Sequence, residues 1–321
     1  MNASALIPGA ALARETVQLP FPVSGQRHEI ATRVGRLSYF SARSGSASSA
    51  PPVLLIHSIN AAGSAYEIKP LYEHYRNSRA VYALELPGFG HSERGCRVYT
   101  ARMMTDAIHV AVDEIRKAEG AAPIDAMALS LSCEFLARAI SEKPLAFRSA
   151  ALTSPTGFNS AKQDVTWRDG TRGKPWLHAL LERPLWSEGL FRMLTSRAGI
   201  AYFLKKTWGS PDFDKGLADY DYLTTHQPGA QHAPYYFVSG FLFSEDIMHL
   251  YHSLTLPVWM AHGNRGDFVN YKNKRRVEGR ANWTVDEFQT GAMPHFEARD
   301  DFIRTYDAFL DRVARSDVMR G

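Results

Sequence analysis

Residues 124–134 read Ile124-Asp125-Ala126-Met127-Ala128-Leu129-Ser130-Leu131-Ser132-Cys133-Glu134. Ile124 to Leu129 is a short, mostly apolar run, the pattern of a strand buried on both faces, and from Glu134 to Ala146 the apolar residues recur at helical spacing. A serine therefore stands at the apex of a strand-to-helix turn. So sharp a turn brings neighbouring backbone close, which is why the pattern is usually G-x-S-x-G. Ala128 and Ser132 take the glycine positions and keep the side chains small. Taken alone, the motif is weak, because a serine at a helix start is usually just its N-cap, so the rest of the chain has to decide.

Working outward, similar apolar runs occur at Pro52 to Ile56, Val81 to Leu86 and Leu256 to Ala261, with a weaker one at Ser149 to Leu152. Ile30 to Phe40 reads as two short strands turning at Gly35. Helical periodicity lies between the runs, at Ser64 to Tyr75 and Ala101 to Lys117. Strands alternating with helices predict a mostly parallel central sheet covered on both faces, a three-layer α/β fold whose loops at the strand C-termini gather at one edge. The alternation stops after Pro155 and resumes near Pro257. We therefore expect an N-terminal flexible arm (1–27), a core built from 28–155 and 256–316, and an inserted α-helical cap (156–255). The insertion contains Trp167, Trp176, Trp186, Phe191, Tyr202, Phe203, Trp208 and Phe243. Most such aromatics form a subdomain's own core, and a minority would line an apolar cavity.

Two further residues bear on Ser130. The run ending at Ala261 leads through His262-Gly263-Asn264-Arg265-Gly266 to Asp267, and the strand Trp283 to Phe288 leads through Ala292-Met293-Pro294 to His295. The chain order Ser130, Asp267, His295 is the order Ser, Asp, His, each residue following a strand. In that arrangement His295 takes the serine proton and Asp267 fixes the imidazole tautomer. The acid limb of activity is then expected in the ordinary imidazole range, about pH 6 to 7. The anion formed on attack needs donors: the N–H of Leu131 at a helix start, and that of Ile59 in His57-Ser58-Ile59-Asn60 after the first buried run. Taken singly, Asp267 reads as a helix cap and His295 as a loop histidine bonded to backbone.

With Leu86-Pro87-Gly88-Phe89-Gly90-His91-Ser92 and Ser154-Pro155-Thr156-Gly157 added, residues 28 to 315 resemble the α/β-hydrolase superfamily, in particular its members with a helical cap. The resemblance implies a serine hydrolase acting on a carboxylic ester or related acyl compound. Lactone or carbon-carbon bond cleavage by the same residues is the alternative, and a non-catalytic binding protein a further one. Dehalogenases and epoxide hydrolases of the superfamily typically carry Asp where this chain has Ser130. Three positions depart from the pattern: Ser58 replaces the usual glycine after His57, Ala128 and Ser132 replace the elbow glycines, and Glu85 stands where many relatives have Asp.

Composition narrows the partners. A net charge of +4 with 22% charged residues gives no basic stripe for nucleic acid, and the Lys272, Lys274, Arg275, Arg276 run reads as a solvated surface. Cys96 and Cys133 make no disulfide framework, which favours a reducing cytoplasmic setting, and Met1 to Ala13 makes a poor signal peptide. No apolar run is long enough to span a membrane. No phosphate-cradling glycine motif occurs, and His178, His226 and His232 lack a metal-ligand pattern, so neither cofactor nor metal is expected. The expected partner is a small-molecule substrate with a hydrophobic portion.

Overall fold

A computed structural model describes residues 18–43, 50–159 and 170–318. Trp167 lies outside the described residues, as does the part of the arm before Gln18. The arm's described end is packed rather than loose: Leu19 and Val23 are buried, and Ser24 donates through its N–H and Oγ to Glu73 at 2.9 and 2.7 Å.

Eight strands form one sheet: β1 (Gln26–Thr32), β2 (Gly35–Ala42), β3 (Val53–Ile56), β4 (Val81–Glu85), β5 (Ile124–Leu129), β6 (Phe147–Thr153), β7 (Val258–Gly263) and β8 (Trp283–Phe288). Their order is β1-β2-β4-β3-β5-β6-β7-β8. The β1–β2 hairpin, turning at Gly35 with φ +101°, pairs antiparallel with β4, and the other pairings are parallel. The strands of the parallel part are thus apolar on both sides, and alternate residues feed two cores. Leu54, Ile56, Ala126 and Ala128 pack with α2 (Ala101–Glu119) and α3 (Ser132–Glu142). Val53, Leu55, Met127 and Leu129 pack against the opposite layer, which includes α1 (Lys69–Tyr75). A short 3-10 helix, Ala65–Ile68, leads into α1, so the single helix expected over Ser64 to Tyr75 is two pieces broken before Pro70.

Between β6 and β7 the described residues form six helices: α4 (Pro175–Leu181), α5 (Ser187–Leu194), α6 (Arg197–Trp208), α7 (Lys215–Thr225), α8 (His232–Val238) and α9 (Ile247–Ser253). After β8 come α10 (Pro294–Glu297) and α11 (Arg299–Val318). The insertion leaves the sheet at the C-terminal end of β6 and returns through α9 to the N-terminal end of β7, and near the C-terminal edge α7 meets the 3-10 helix through stacked Tyr66 and Tyr220, ring centroids 5.1 Å apart.

At the opposite end of β5, Asp125 is fully buried and accepts from Arg148 Nε and Nη2 at 2.9 and 2.6 Å, from Ser149 Oγ at 2.5 Å, and from Arg79. Removing this carboxylate strands the buried Arg79 guanidinium. Asp125→Ala is therefore expected to lower unfolding stability by about 3–5 kcal/mol, measured by urea denaturation at neutral pH. A change within experimental error would show that the cluster contributes no net stability.

Candidate active site

Ser130 adopts φ +52°, a left-handed conformation costly for a residue with a Cβ. Its N–H continues the ladder to the Thr153 carbonyl at 2.8 Å, and its own carbonyl accepts from Cys133 N at 3.1 Å. The chain therefore reverses within one residue of the strand. Ser130 does not cap α3, whose N-cap is Leu131 and has no side-chain cap. A half-buried serine held in a left-handed conformation at the turn from β5 into α3 is the geometry of a nucleophile elbow.

The two non-glycine flanks are accommodated by position. Ala128 is wholly buried in β5, and Ser132 Oγ donates to the His57 carbonyl at 2.6 Å, tying the helix start to the loop after β3. That loop is held further by His57. Its Nε2 accepts from Leu86 N at 3.1 Å and its Nδ1 donates to the Ser58 carbonyl at 2.6 Å. Glu67, in the 3-10 helix, accepts from Ser58 N, Ser58 Oγ and Asn60 Nδ2 at 2.6, 3.0 and 2.6 Å. The Ser58 hydroxyl, where glycine is usual, thus becomes a ligand of this clamp. Ile59 and Leu131 are buried at its two sides, and no hydrogen bond among the described residues uses either N–H. Glu85 is structural: its carboxylate accepts from His91 N and His91 Nδ1 at 2.6 and 3.0 Å.

His295 sits in α10 and is completely buried, beside Phe296 and Phe302. Its Nε2 lies 2.7 Å from the Glu67 carbonyl oxygen, which can only accept, so Nε2 carries the proton and the lone pair is on Nδ1. Nδ1 has no partner. Burial holds the imidazole down to about 4, the Glu67 bond opposing this in part. The Ala292 carbonyl, three residues earlier, accepts from Ser154 Oγ at 2.7 Å, so this loop is pinned to the end of β6 beside the elbow.

Asp267 departs from expectation. Its carboxylate is 53% exposed and pairs with Lys206 Nζ of α6 at 2.5 Å. Among the described residues no hydrogen bond joins it to His295, and none joins His295 to Ser130. Arg265, two residues earlier, donates to the Trp208 carbonyl at 3.0 Å and pairs with Glu297, and Asp267 N donates to the Lys206 carbonyl at 3.1 Å, so this loop is tied to the end of α6. The group that orients the imidazole is the Glu67 carbonyl. Sequence reading missed Glu67, buried Asp221 of α7 with an unpartnered Oδ1, and Glu134 of α3. Burial, with the charges of Glu67 and Asp214, pushes the Asp221 carboxyl well above the usual carboxylate range. No local pattern marks these residues: Glu67 meets His295 228 positions away, Glu134 meets Ser244 110 positions away, and the burial of Asp221 follows only from how α7 packs. The described residues hold no group of three or more His, Cys, Asp or Glu suited to a metal ion, and no helix long and apolar enough to cross a membrane.

The fold and elbow define an α/β-hydrolase-type chain. It belongs to the alpha/beta hydrolase family, whose sequence pattern it matches over residues 53–305. Comparison with curated proteins finds no match. Among solved structures it is similar to a serine hydrolase involved in carbazole degradation, with a TM-score of 0.67, 12% identity, and coverage of 90% of this chain and 99% of that one. It is similar also to the epoxide hydrolase CorEH, with a TM-score of 0.67, 18% identity and coverage of 90% and 99%. The carboxylesterase CesB of Bacillus subtilis gives a TM-score of 0.65, 15% identity and coverage of 90% and 92%. These structures share the fold while their names span different bond types.

Two outcomes follow from the histidine and the aspartate. An unfolded histidine takes up its proton near about 6.5, whereas His295 in the fold stays neutral down to about 4. Its contribution to stability is full above the unfolded value and is lost as pH falls toward the folded one. Wild type should therefore lose more Tm between pH 7 and 4.5 than His295→Asn does, and the acid limb of kcat/KM should lie near 4 instead of the 6 to 7 expected for a free imidazole. Asp267→Asn should change kcat/KM by less than about tenfold, against the roughly 10,000-fold loss typical of a triad acid. A loss of several orders in steady-state kinetics would return Asp267 to that role.

Proposed function

We propose that this chain is a serine hydrolase cleaving a carboxylic ester or related acyl compound, with Ser130 as nucleophile. The observation that carries the reading is the strained elbow, a conformation retained against its cost at the centre of the sheet's C-terminal edge. Ser130 Oγ adds to the substrate carbonyl carbon while its proton passes to the His295 lone pair. The N–H groups of Ile59 and Leu131 receive the developing oxyanion. Collapse expels the alcohol or other leaving group with that proton, leaving an acyl-serine that water hydrolyses by the same steps. The Glu67 carbonyl serves as the fixed acceptor for the imidazolium N–H. For Asp267 to act as the acid instead, its carboxylate would have to exchange Lys206 for His295.

Several features of the cap support a substrate with a hydrophobic portion. Ala233 of α8 packs against Gly88 of the loop after β4, where an added Cβ would lie 2.5 Å from Ala233 Cβ, and Trp208 of α6 meets Phe296 with ring centroids 6.0 Å apart. Aromatic helices thus lie over the loops that frame the elbow, which suits an apolar cavity with its polar groups at the catalytic end. Lactone or carbon-carbon bond cleavage would use the same nucleophile.

A second reading is binding of an acyl or carbonyl compound without turnover. One observation favours it: Ser130, His295 and Asp267 share no hydrogen bond with one another. Labelling with a fluorophosphonate, followed by p-nitrophenyl esters of graded length, separates the readings. Hydrolysis predicts that wild type labels and turns over, that Ser130→Ala does neither while keeping its Tm, and that His295→Ala loses at least about 1,000-fold in kcat. Ester binding without labelling or turnover would replace the enzyme reading with the binding one.

A further inference from the structure

The helix behind the nucleophile reaches both ends of the cap. Glu134, in the first turn of α3, is completely buried. Its Oε1 accepts from Thr156 Oγ1 at 2.5 Å, and its Oε2 accepts from Ser244 N at 2.8 Å. Thr156 lies three residues beyond β6, where the chain departs into the insertion, and Ser244 lies just before α9, where it returns. One turn further along α3, Arg138 Nη2 donates to Asp246 Oδ1 at 2.6 Å, with both side chains nearly buried. The departing and returning strands of the cap are also bridged to each other at Thr171 and Ser244.

We propose that Glu134 is a positioning residue that fixes the seat of the cap over Ser130 by joining the nucleophile's helix to both cap ends through Thr156 and Ser244. This rests on the hydrolase reading only for its effect on turnover. The carboxyl suits the task in either protonation state. Ionised, it accepts from both partners. Protonated, it donates to the Thr156 hydroxyl while still accepting from Ser244 N. Burial pushes the group up to about 7, opposed by those partners and the charge of Arg172, so both states occur in the physiological range and neither leaves a partner unsatisfied. Packing alone requires no polar group at this buried helix position, where a leucine would fill similar space without a desolvation cost.

Glutamine reproduces the protonated pattern, its amide N–H donating to Thr156 and its oxygen accepting from Ser244 N. Hydrogen exchange by mass spectrometry on full-length wild type, Glu134→Gln, Glu134→Ala and Thr156→Val tests the proposal whether or not the protein turns over esters. Exchange in peptides covering 240–253 should rise on the order of tenfold in Glu134→Ala, by less in Thr156→Val, and stay within about twofold of wild type in Glu134→Gln. Peptides from β5 and β7 should be unchanged in all of them. If the variants exchange faster everywhere in proportion to lost Tm, or if Glu134→Ala leaves 240–253 unchanged, the proposal is overturned. A second arm reads Ser130 labelling by a bulky and a small fluorophosphonate, whose rate ratio should shift about tenfold in Glu134→Ala and be restored in Glu134→Gln. Wild type that fails to label removes the hydrolase reading and leaves the exchange result to judge the cap anchor.

Discussion

The constraint on which the rest depends is that β5 must end in a one-residue reversal while remaining hydrogen-bonded to β6. The Ser130 N–H is still part of the ladder, yet φ at that residue is +52°. Such a residue cannot relax without giving up either the ladder bond or the start of α3. The neighbouring segments therefore fit themselves to it: Ala128 leaves room on the strand, and the Ser132 hydroxyl is taken by the His57 carbonyl. The position of Ser130 at the centre of the edge follows from the strand order, with β3 and β4 on one side and β6, β7 and β8 on the other.

Around that point, carboxylates organise the loops. Glu67 gathers Ser58 and Asn60 with its side chain and holds His295 with its backbone carbonyl, so the segment that presents Ile59 and the imidazole are fixed by one residue. Glu85 does the same for the loop after β4, and Glu134 for the two ends of the cap. In each case a buried acceptor with two oxygens satisfies backbone and side-chain donors of loops that have no ladder of their own. The tautomer of His295 is a consequence. Because its partner is a carbonyl oxygen, the proton sits on Nε2, and because no charge lies against it, burial depresses its basicity.

The amino-acid sequence by itself determined the parallel core, the elbow and the insertion. The buried strands announce themselves as short, mostly apolar runs, with Ile124 to Leu129 matching β5 residue for residue. The turn at Ser130 is marked by small neighbours, and the loss of alternation after Pro155 marks the insertion. These are local signals, since they follow from burial on both faces of a strand and from steric limits within a few residues. Only the tertiary structure decided the partners of the site. It turned Asp267 outward to Lys206, gave His295 to the Glu67 carbonyl 228 positions away, and set Glu134 against Ser244 110 positions away. The order Ser130, Asp267, His295 states which strand each residue follows, but a carboxylate's partner depends on loop curvature of a few ångströms and on competing cations from an inserted segment. Hydrogen bonds act over about 3 Å, so their pairing is decided by the packed fold, which no spacing along the chain encodes.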